Sequence, residues 1–337
     1  MRWRTAQIAL IGILVTQGFG PVIAQTRATR ARPSRQVQKQ KPPEPPPLPC
    51  GDYLSFQVLL DRQGFSPGEI DRKPGDNFTH AIIALQQARQ VPLTMHPDCD
   101  TWHALGGDLA GDLLTTYTIA PADVEGPFEE HIPPKIVDQA KLPALGYRSA
   151  LERLSERFHA SPALLQQVNR GVAFAAGREI KVPVVTPFDP DAKPPASAAD
   201  ASDVAIQVSR EESALRVTRA DGSLIFFAPV TTGSTHDPLP AGNWSVVGVQ
   251  WHPPFHYNPD LFWDAKPQDS KATIKPGPNN PVGVVWISLN LEHYGIHGTP
   301  EPGHVGHTES HGCVRLTNWD AARVASLVKR GTPVVFK

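Results

Sequence analysis

Ile296-His297-Gly298-Thr299-Pro300, twelve positions counted from Gly298 to Glu309, and then Ser310-His311-Gly312-Cys313-Val314-Arg315-Leu316 form the stretch from which the rest of the chain is read. Directly after it, Thr317 stands as a helix cap with Asp320 three residues on. Ala321, Val324, Ala325 and Val328 give that helix an apolar face, and Gly331 ends it. Upstream the texture is β. The runs 205–208, 214–217, 224–227, 244–247 and 284–287 are rich in branched and aromatic residues and are separated by Gly, Asp or Pro turns, with Asp221-Gly222 as a hairpin signal. Residues 203–337 therefore read as a mainly-β domain, a sandwich or barrel, with a helix near its end.

The same stretch gathers reactive groups. A thiol near its ordinary pKa of about 8.5 is a weak nucleophile until a neighbouring base or cation promotes its ionisation. His297 and His311 are the candidate bases for Cys313. An imidazole can take the thiol proton and later give it to a leaving amine, as acyl transfer requires. Gly312 frees the backbone to turn so that amide hydrogens at Gly312 and Cys313 face a developing oxyanion. Zinc is the rival reading, because His293, His297, His304, His307, His311 and Cys313 crowd together. Their spacing fits no familiar zinc module and no second cysteine is near, so neither a metal nor another cofactor is assigned.

These residues resemble the catalytic domain of the L,D-transpeptidases of the YkuD type. Supporting matches are Thr232-Gly233, Pro238-Leu239-Pro240-Ala241-Gly242, Pro276-Gly277-Pro278-Asn279-Asn280-Pro281 and Thr317-Asn318-Trp319-Asp320. The resemblance implies a cysteine acyltransferase. By that resemblance Cys313 would attack the third-residue carbonyl of a peptidoglycan tetrapeptide stem, release D-alanine and hold a thioester. It implies His297 as base and acid, oriented by the backbone carbonyl of Gly298. Ser310, His311, Gly312, Gly298 and Arg315 shape the oxyanion site and pocket, and Arg315 either binds a substrate carboxylate or braces the loop. The aromatic insertion from Gln250 to Ser270 is read as a lid over the cleft, with packing onto the sheet as the alternative.

The remainder of the chain sets the context. A length of 337 residues allows more than one domain, at roughly 100–200 residues each. A formal charge of −1 offers no basic field for nucleic acid. Residues 1–24 place Arg2 and Arg4 before an apolar run and end in Val22-Ile23-Ala24, the pattern of a secretory signal, with an uncleaved anchor as the competitor. Export to the periplasm or cell envelope follows from that reading. Residues 25–49 are a basic, proline-rich linker, and 186–202 are a second linker. Of the three cysteines, Cys50 and Cys99 bracket one compact segment and are the candidate disulfide, which leaves Cys313 free.

Residues 50–107 carry three helical patterns. Phe56, Leu59 and Leu60 mark the first, Phe78, Ala81, Ile82, Leu85 and Ala88 the second behind an Asp76 cap, and Trp102 and Leu105 the third behind an Asp100 cap. The pattern Val58-Leu59-Leu60-Asp61-Arg62-Gln63-Gly64-Phe65 with Gly68-Glu69-Ile70-Asp71 resembles the three-helix peptidoglycan-binding domain. Residues 108–185 combine Tyr117-Thr118-Ile119, two helices through Leu151 and Leu164, and the alternating run 179–183. They resemble a LysM sugar-binding module opened by an insertion, and a plain linker subdomain is the alternative.

The expected partners are therefore peptidoglycan stems and glycan strands, with an amine of a neighbouring stem or of an envelope lipoprotein as acyl acceptor. A monomer is the default. Two other readings stay open: hydrolysis or D-amino-acid exchange through the same thioester, and a wall-binding protein whose catalytic domain is inert.

Overall fold

The computed structural model describes residues 46–192 and 204–337. The expected signal segment 1–24, the linker 25–49 up to residue 45, and residues 193–202 of the second linker lie outside the described residues.

The chain begins with helices α1 (Tyr53–Arg62), α2 (Asp76–Arg89) and α3 (Cys99–Ala104). Asp52 caps α1 by accepting from the Ser55 N–H. The caps expected at Asp76 and Asp100 fall elsewhere. Gly75 precedes α2 without a side-chain cap, and Asp98 caps α3 by accepting from Thr101. Asp98 wins because its carboxylate also takes the Thr101 and Thr94 hydroxyls, a set of partners that Asp100, two residues later, lacks. Cys50 and Cys99 form a disulfide with Cα atoms 5.2 Å apart. Closing a loop of 49 residues removes on the order of 4 kcal/mol of unfolded-chain entropy.

Next come β1 (Leu114–Thr118), α4 (Pro121–Val124), α5 (Ile136–Gln139), α6 (Ala150–Arg157), α7 (Pro162–Val168) and β2 (Glu179–Pro183). β1 and β2 pair antiparallel, with Tyr117 opposite Ile180, so α6 and α7 lie between two strands of one small sheet. Ser149 and Ser161 cap these two helices through their hydroxyls. The stretch from Gly126 to Leu145 that carries α5 is inserted into this β–α–α–β unit. Phe56, Leu60, Ile82 and Leu85 of the helices join Ile119, Leu154, Leu165 and Ile180 of the unit in one core, so the two modules share their interior.

The C-terminal strands are β3 (Val204–Ser209), β4 (Ala214–Arg219), β5 (Leu224–Pro229), β6 (Gly242–Trp251), β7 (Phe255–Tyr257), β8 (Ala272–Ile274), β9 (Val285–Leu289), β10 (Gly295–His297) and β11 (Val314–Arg315). Helix α8 (Asn318–Leu327) and β12 (Pro333–Phe336) complete the chain. Eight strands form one sheet in the order β11-β10-β9-β6-β12-β3-β4-β5, not two stacked sheets. The sheet curls until its ends meet. Just beyond β5, Thr231 exchanges two backbone hydrogen bonds with Arg315 of β11, at 3.0 and 2.9 Å. Asp221-Gly222 turns the β4–β5 hairpin, with Gly222 at φ 83°. Thr317 caps α8, which ends at Leu327, before the expected stop at Gly331, because Val328 is already extended.

The helical module covers the exposed edge of this sheet. Phe227 of β5 donates to the Gly64 carbonyl and accepts from the Ser66 N–H, each at 2.8 Å. An edge strand closed in this way cannot pair with a foreign chain. Phe188, at the start of the second linker, is buried against the core of the C-terminal sheet.

Candidate active site

Strand register builds the floor of the cleft. Gln250 of β6 lies opposite Trp286 of β9, Trp286 opposite His297 of β10, and His297 opposite Arg315 of β11. Residues paired across adjacent strands share a face. This row of four side chains lines a cavity of about 700 Å³, and Cys313, two residues before Arg315, lines it too.

His297 is buried and its ring stacks on Trp286 with centroids 5.2 Å apart. Its Nδ1 lies 2.7 Å from the Gly298 carbonyl oxygen. A carbonyl only accepts, so Nδ1 carries the proton and the neutral ring keeps Nε2 as a proton acceptor. Burial, reinforced by the Arg315 charge, lowers the His297 pKa to about 3, against the opposing pull of the Gly298 carbonyl. Burial also pushes the Cys313 thiol up, while the Gly295 backbone and Arg315 draw it down. At neutral pH the resting pair is thus a thiol and a neutral imidazole.

Gly312 sits at φ +98°, and a Cβ there would fall 2.5 Å from the Tyr294 ring. Conformation and space both require glycine. Among the described residues, the N–H groups of Gly312 and Cys313 have no hydrogen-bond partner. The Ser310 hydroxyl donates to the Cys313 carbonyl at 2.7 Å and fixes the turn that presents the thiol.

Arg315 is mostly buried and, among the described residues, makes no ion pair, so the structure offers no salt bridge that would let it brace the loop. His311 lies beside the pocket and its Nε2 meets Asp264 at 2.9 Å. His304 pairs with Glu301 and His293 with Glu292, both at the surface. The histidines thus point to separate partners, and among the described residues no group of three His, Cys, Asp or Glu is arranged to hold a metal ion.

The insertion 250–270 does form a cover. β7 and β8 make a hairpin from which Phe255, Tyr257 and Phe262 line the cavity. Phe262 packs edge-on against His311, and Trp263 stacks on His236 at 4.4 Å. Trp251 packs on the main core.

Three contributors were not among the site residues expected from the sequence. Trp286 reads as an ordinary strand residue until the register puts it under His297. Asn318 reads as the first residue of a helix, yet its buried side chain accepts from Val284 and donates to Glu156 and to the Pro278 carbonyl. Residues 134–137, far away in sequence, also line the cavity.

Residues 203–336 match the family model of the L,D-transpeptidase catalytic domain. This region is similar to the L,D-transpeptidase family. YkuD of Bacillus licheniformis is 29% identical over 187 residues, 55% of this chain and 91% of that protein. That alignment is longer than the matched catalytic region, so it takes in residues before Asp203. YkuD of Bacillus subtilis is 46% identical over 59 residues, 18% of this chain and 36% of that protein. Among solved structures, an L,D-transpeptidase from Mycobacterium smegmatis is similar at 17% identity with a TM-score of 0.33, over 48% of this chain and 64% of that chain. The L,D-transpeptidases are acyltransferases that act on peptidoglycan stem peptides, and residues 203–336 are similar to their catalytic domain.

Proposed function

We propose that the protein is an exported peptidoglycan L,D-transpeptidase that works through a thioester on Cys313. The observation that carries this reading is the pairing of an imidazole fixed by its own backbone, His297 on Gly298, with a free thiol in one cavity. Nε2 of His297 takes the thiol proton as sulfur attacks the third-residue carbonyl of a tetrapeptide stem. The oxyanion meets the unengaged N–H groups at Gly312 and Cys313, donors of a kind each worth roughly 2.7–4 kcal/mol in acyl transfer. As the C–N bond breaks, the imidazolium returns its proton to the D-alanine amine. An acceptor amine then attacks the thioester, loses a proton to His297, and sulfur leaves to regain it.

Arg315, open to the cavity and unpaired among the described residues, suits a carboxylate of the stem. The helical module at 50–107 and the β–α–α–β unit at 108–185 suit the retention of glycan strands. The acceptor is an amine of a second stem or of an envelope protein, and the cell envelope is the site of action. Sensitivity to carbapenems follows, since a sulfur that attacks a stem carbonyl also attacks a strained lactam.

The test is mass spectrometry of the mature protein and its Cys313→Ala variant, each incubated with disaccharide-tetrapeptide. Dimer formed with loss of D-alanine by the wild type alone is the expected result. Trimming to tripeptide would make the enzyme a carboxypeptidase, and no change with either protein would leave a wall-binding protein.

A further inference from the structure

The insertion that opens the β–α–α–β unit reaches the catalytic cavity. Ile132, Ile136, Val137 and Leu142 pack with Phe255 and Phe262 of the lid in a small third core, whose buried centre is Leu145, Tyr257 and Ile274. Its far end is fixed to the loop between β8 and β9. Leu145 donates to the Pro276 carbonyl at 3.2 Å and accepts from the Asn279 N–H at 3.0 Å. The side chain of Asn279 holds Gly146 at 2.8 Å and Arg148 at 2.9 Å. Gly277 stands at φ +149°, and a Cβ there would lie 2.1 Å from the Leu145 carbonyl oxygen. The insertion is therefore seated on the catalytic domain, and Pro134 to Val137 line the same cavity as Cys313.

The charges in that cavity are unequal in their engagement. Asp264 is taken by His311, and Asp269 accepts from the Tyr257 hydroxyl and the Lys266 N–H. Asp237 is the remaining carboxylate of the lining. Lys135, Lys266 and Arg315 line the cavity with no ion pair among the described residues. Lys135 is exposed, and only its carbonyl is used locally, by the N–H groups of Asp138 and Gln139.

We propose that the inserted segment 134–137 is a specificity-determining wall of the catalytic cleft, with Lys135 receiving a carboxylate of the peptide stem. A module outside the catalytic domain thereby takes part in reading the substrate. The inference rests on the stem-peptide reading given above. An ammonium at the rim of a cleft contributes to ground-state and transition-state binding alike, so its loss acts on KM and leaves kcat in place.

The experiment compares wild type, Lys135→Ala and Lys135→Glu in the full-length mature protein. Three readouts are taken: KM and kcat for disaccharide-tetrapeptide, the same constants for that muropeptide with its carboxylates amidated, and the rate of Cys313 alkylation by iodoacetamide. Lys135→Glu is expected to raise KM by about tenfold, with kcat and alkylation within about twofold of wild type. With the amidated muropeptide, wild type and variant converge. An unchanged KM overturns the proposal, and so does a joint fall of kcat and alkylation, which marks a structural role. If wild type converts the stem normally and Lys135→Glu matches it, only this inference falls. If wild type converts no stem at all, the underlying reading falls with it.

Discussion

Gly298 and Asn318 interlock: a Cβ placed on Gly298 would lie 2.1 Å from the Asn318 Oδ1, and one on Gly283 would lie 2.0 Å from the same atom. Asn318 cannot retreat, because its oxygen accepts from Val284 and its amide donates to Glu156 at 2.6 Å and to the Pro278 carbonyl at 3.1 Å. The carbonyl that orients His297 belongs to that same Gly298. The orientation of His297, the proposed base, is thus set by an amide at the first turn of α8.

Gly298→Ala is therefore expected to damage chemistry and stability together. Overpacking of this kind costs about 1–3 kcal/mol, which for a protein of this size lowers Tm by roughly 1–5 °C. The shifted carbonyl should slow thioester formation at least about tenfold, the equivalent of about 1.4 kcal/mol in the barrier. Differential scanning calorimetry and stopped-flow acylation check both effects. A variant with wild-type acylation would show that the backbone carbonyl does not set the base.

The pH dependence of the thiol follows from two opposite shifts. Burial keeps the Cys313 thiol above its ordinary range, and His297 remains neutral down to about pH 3, so no imidazolium is present to hold a thiolate. Alkylation of the free protein by iodoacetamide should rise steadily from pH 6 to beyond about 8.5, the ordinary thiol pKa. A thiolate–imidazolium pair would give a plateau between about pH 5 and 7 instead. Observation of that plateau would overturn the neutral-pair description.

Much of this was legible in the chain and some was not, for physical reasons. The strands around Ile206, Val217 and Phe226 alternate clearly enough to be read, and Thr317 with Asp320 announces α8. The short strands β10, β11 and β12 escaped because two to four residues carry no period. Register is set by long-range pairing, so the row Gln250, Trp286, His297, Arg315 exists only once the sheet is assembled. His297 and Cys313 stood out through their residue types and spacing. Trp286 and Lys135 reach the cavity through position alone, and Asn318 stood in the matched stretch 317–320 without its contacts being readable. The cap expected at Asp100 failed because Asp98, two residues earlier, holds the better hydrogen-bond partners, and the one expected at Asp76 failed because Asp76 is already the first helical residue behind an extended Gly75.

Glu156 provides a test of how the β–α–α–β unit is joined to the catalytic domain. Its Oε1 takes the Asn318 amide in a fully buried setting, and its Oε2 has no partner among the described residues. Burial raises its pKa to about 7, with the Asn318 hydrogen bond opposing. Unfolded, the carboxyl loses its proton near its ordinary pKa of about 4.3. Between these values the folded state binds more protons than the unfolded one, so this group's contribution to stability falls as pH rises from about 4.3 to 7 and is constant above. Glu156→Gln keeps an oxygen for Asn318 and stays neutral. It should be more stable than wild type at pH 8, by up to about 4 kcal/mol, with the difference vanishing towards about pH 4.5. Urea unfolding of both proteins at pH 5 and pH 8 measures it, and an advantage of equal size at the two pH values would mean that Glu156 does not titrate in the fold.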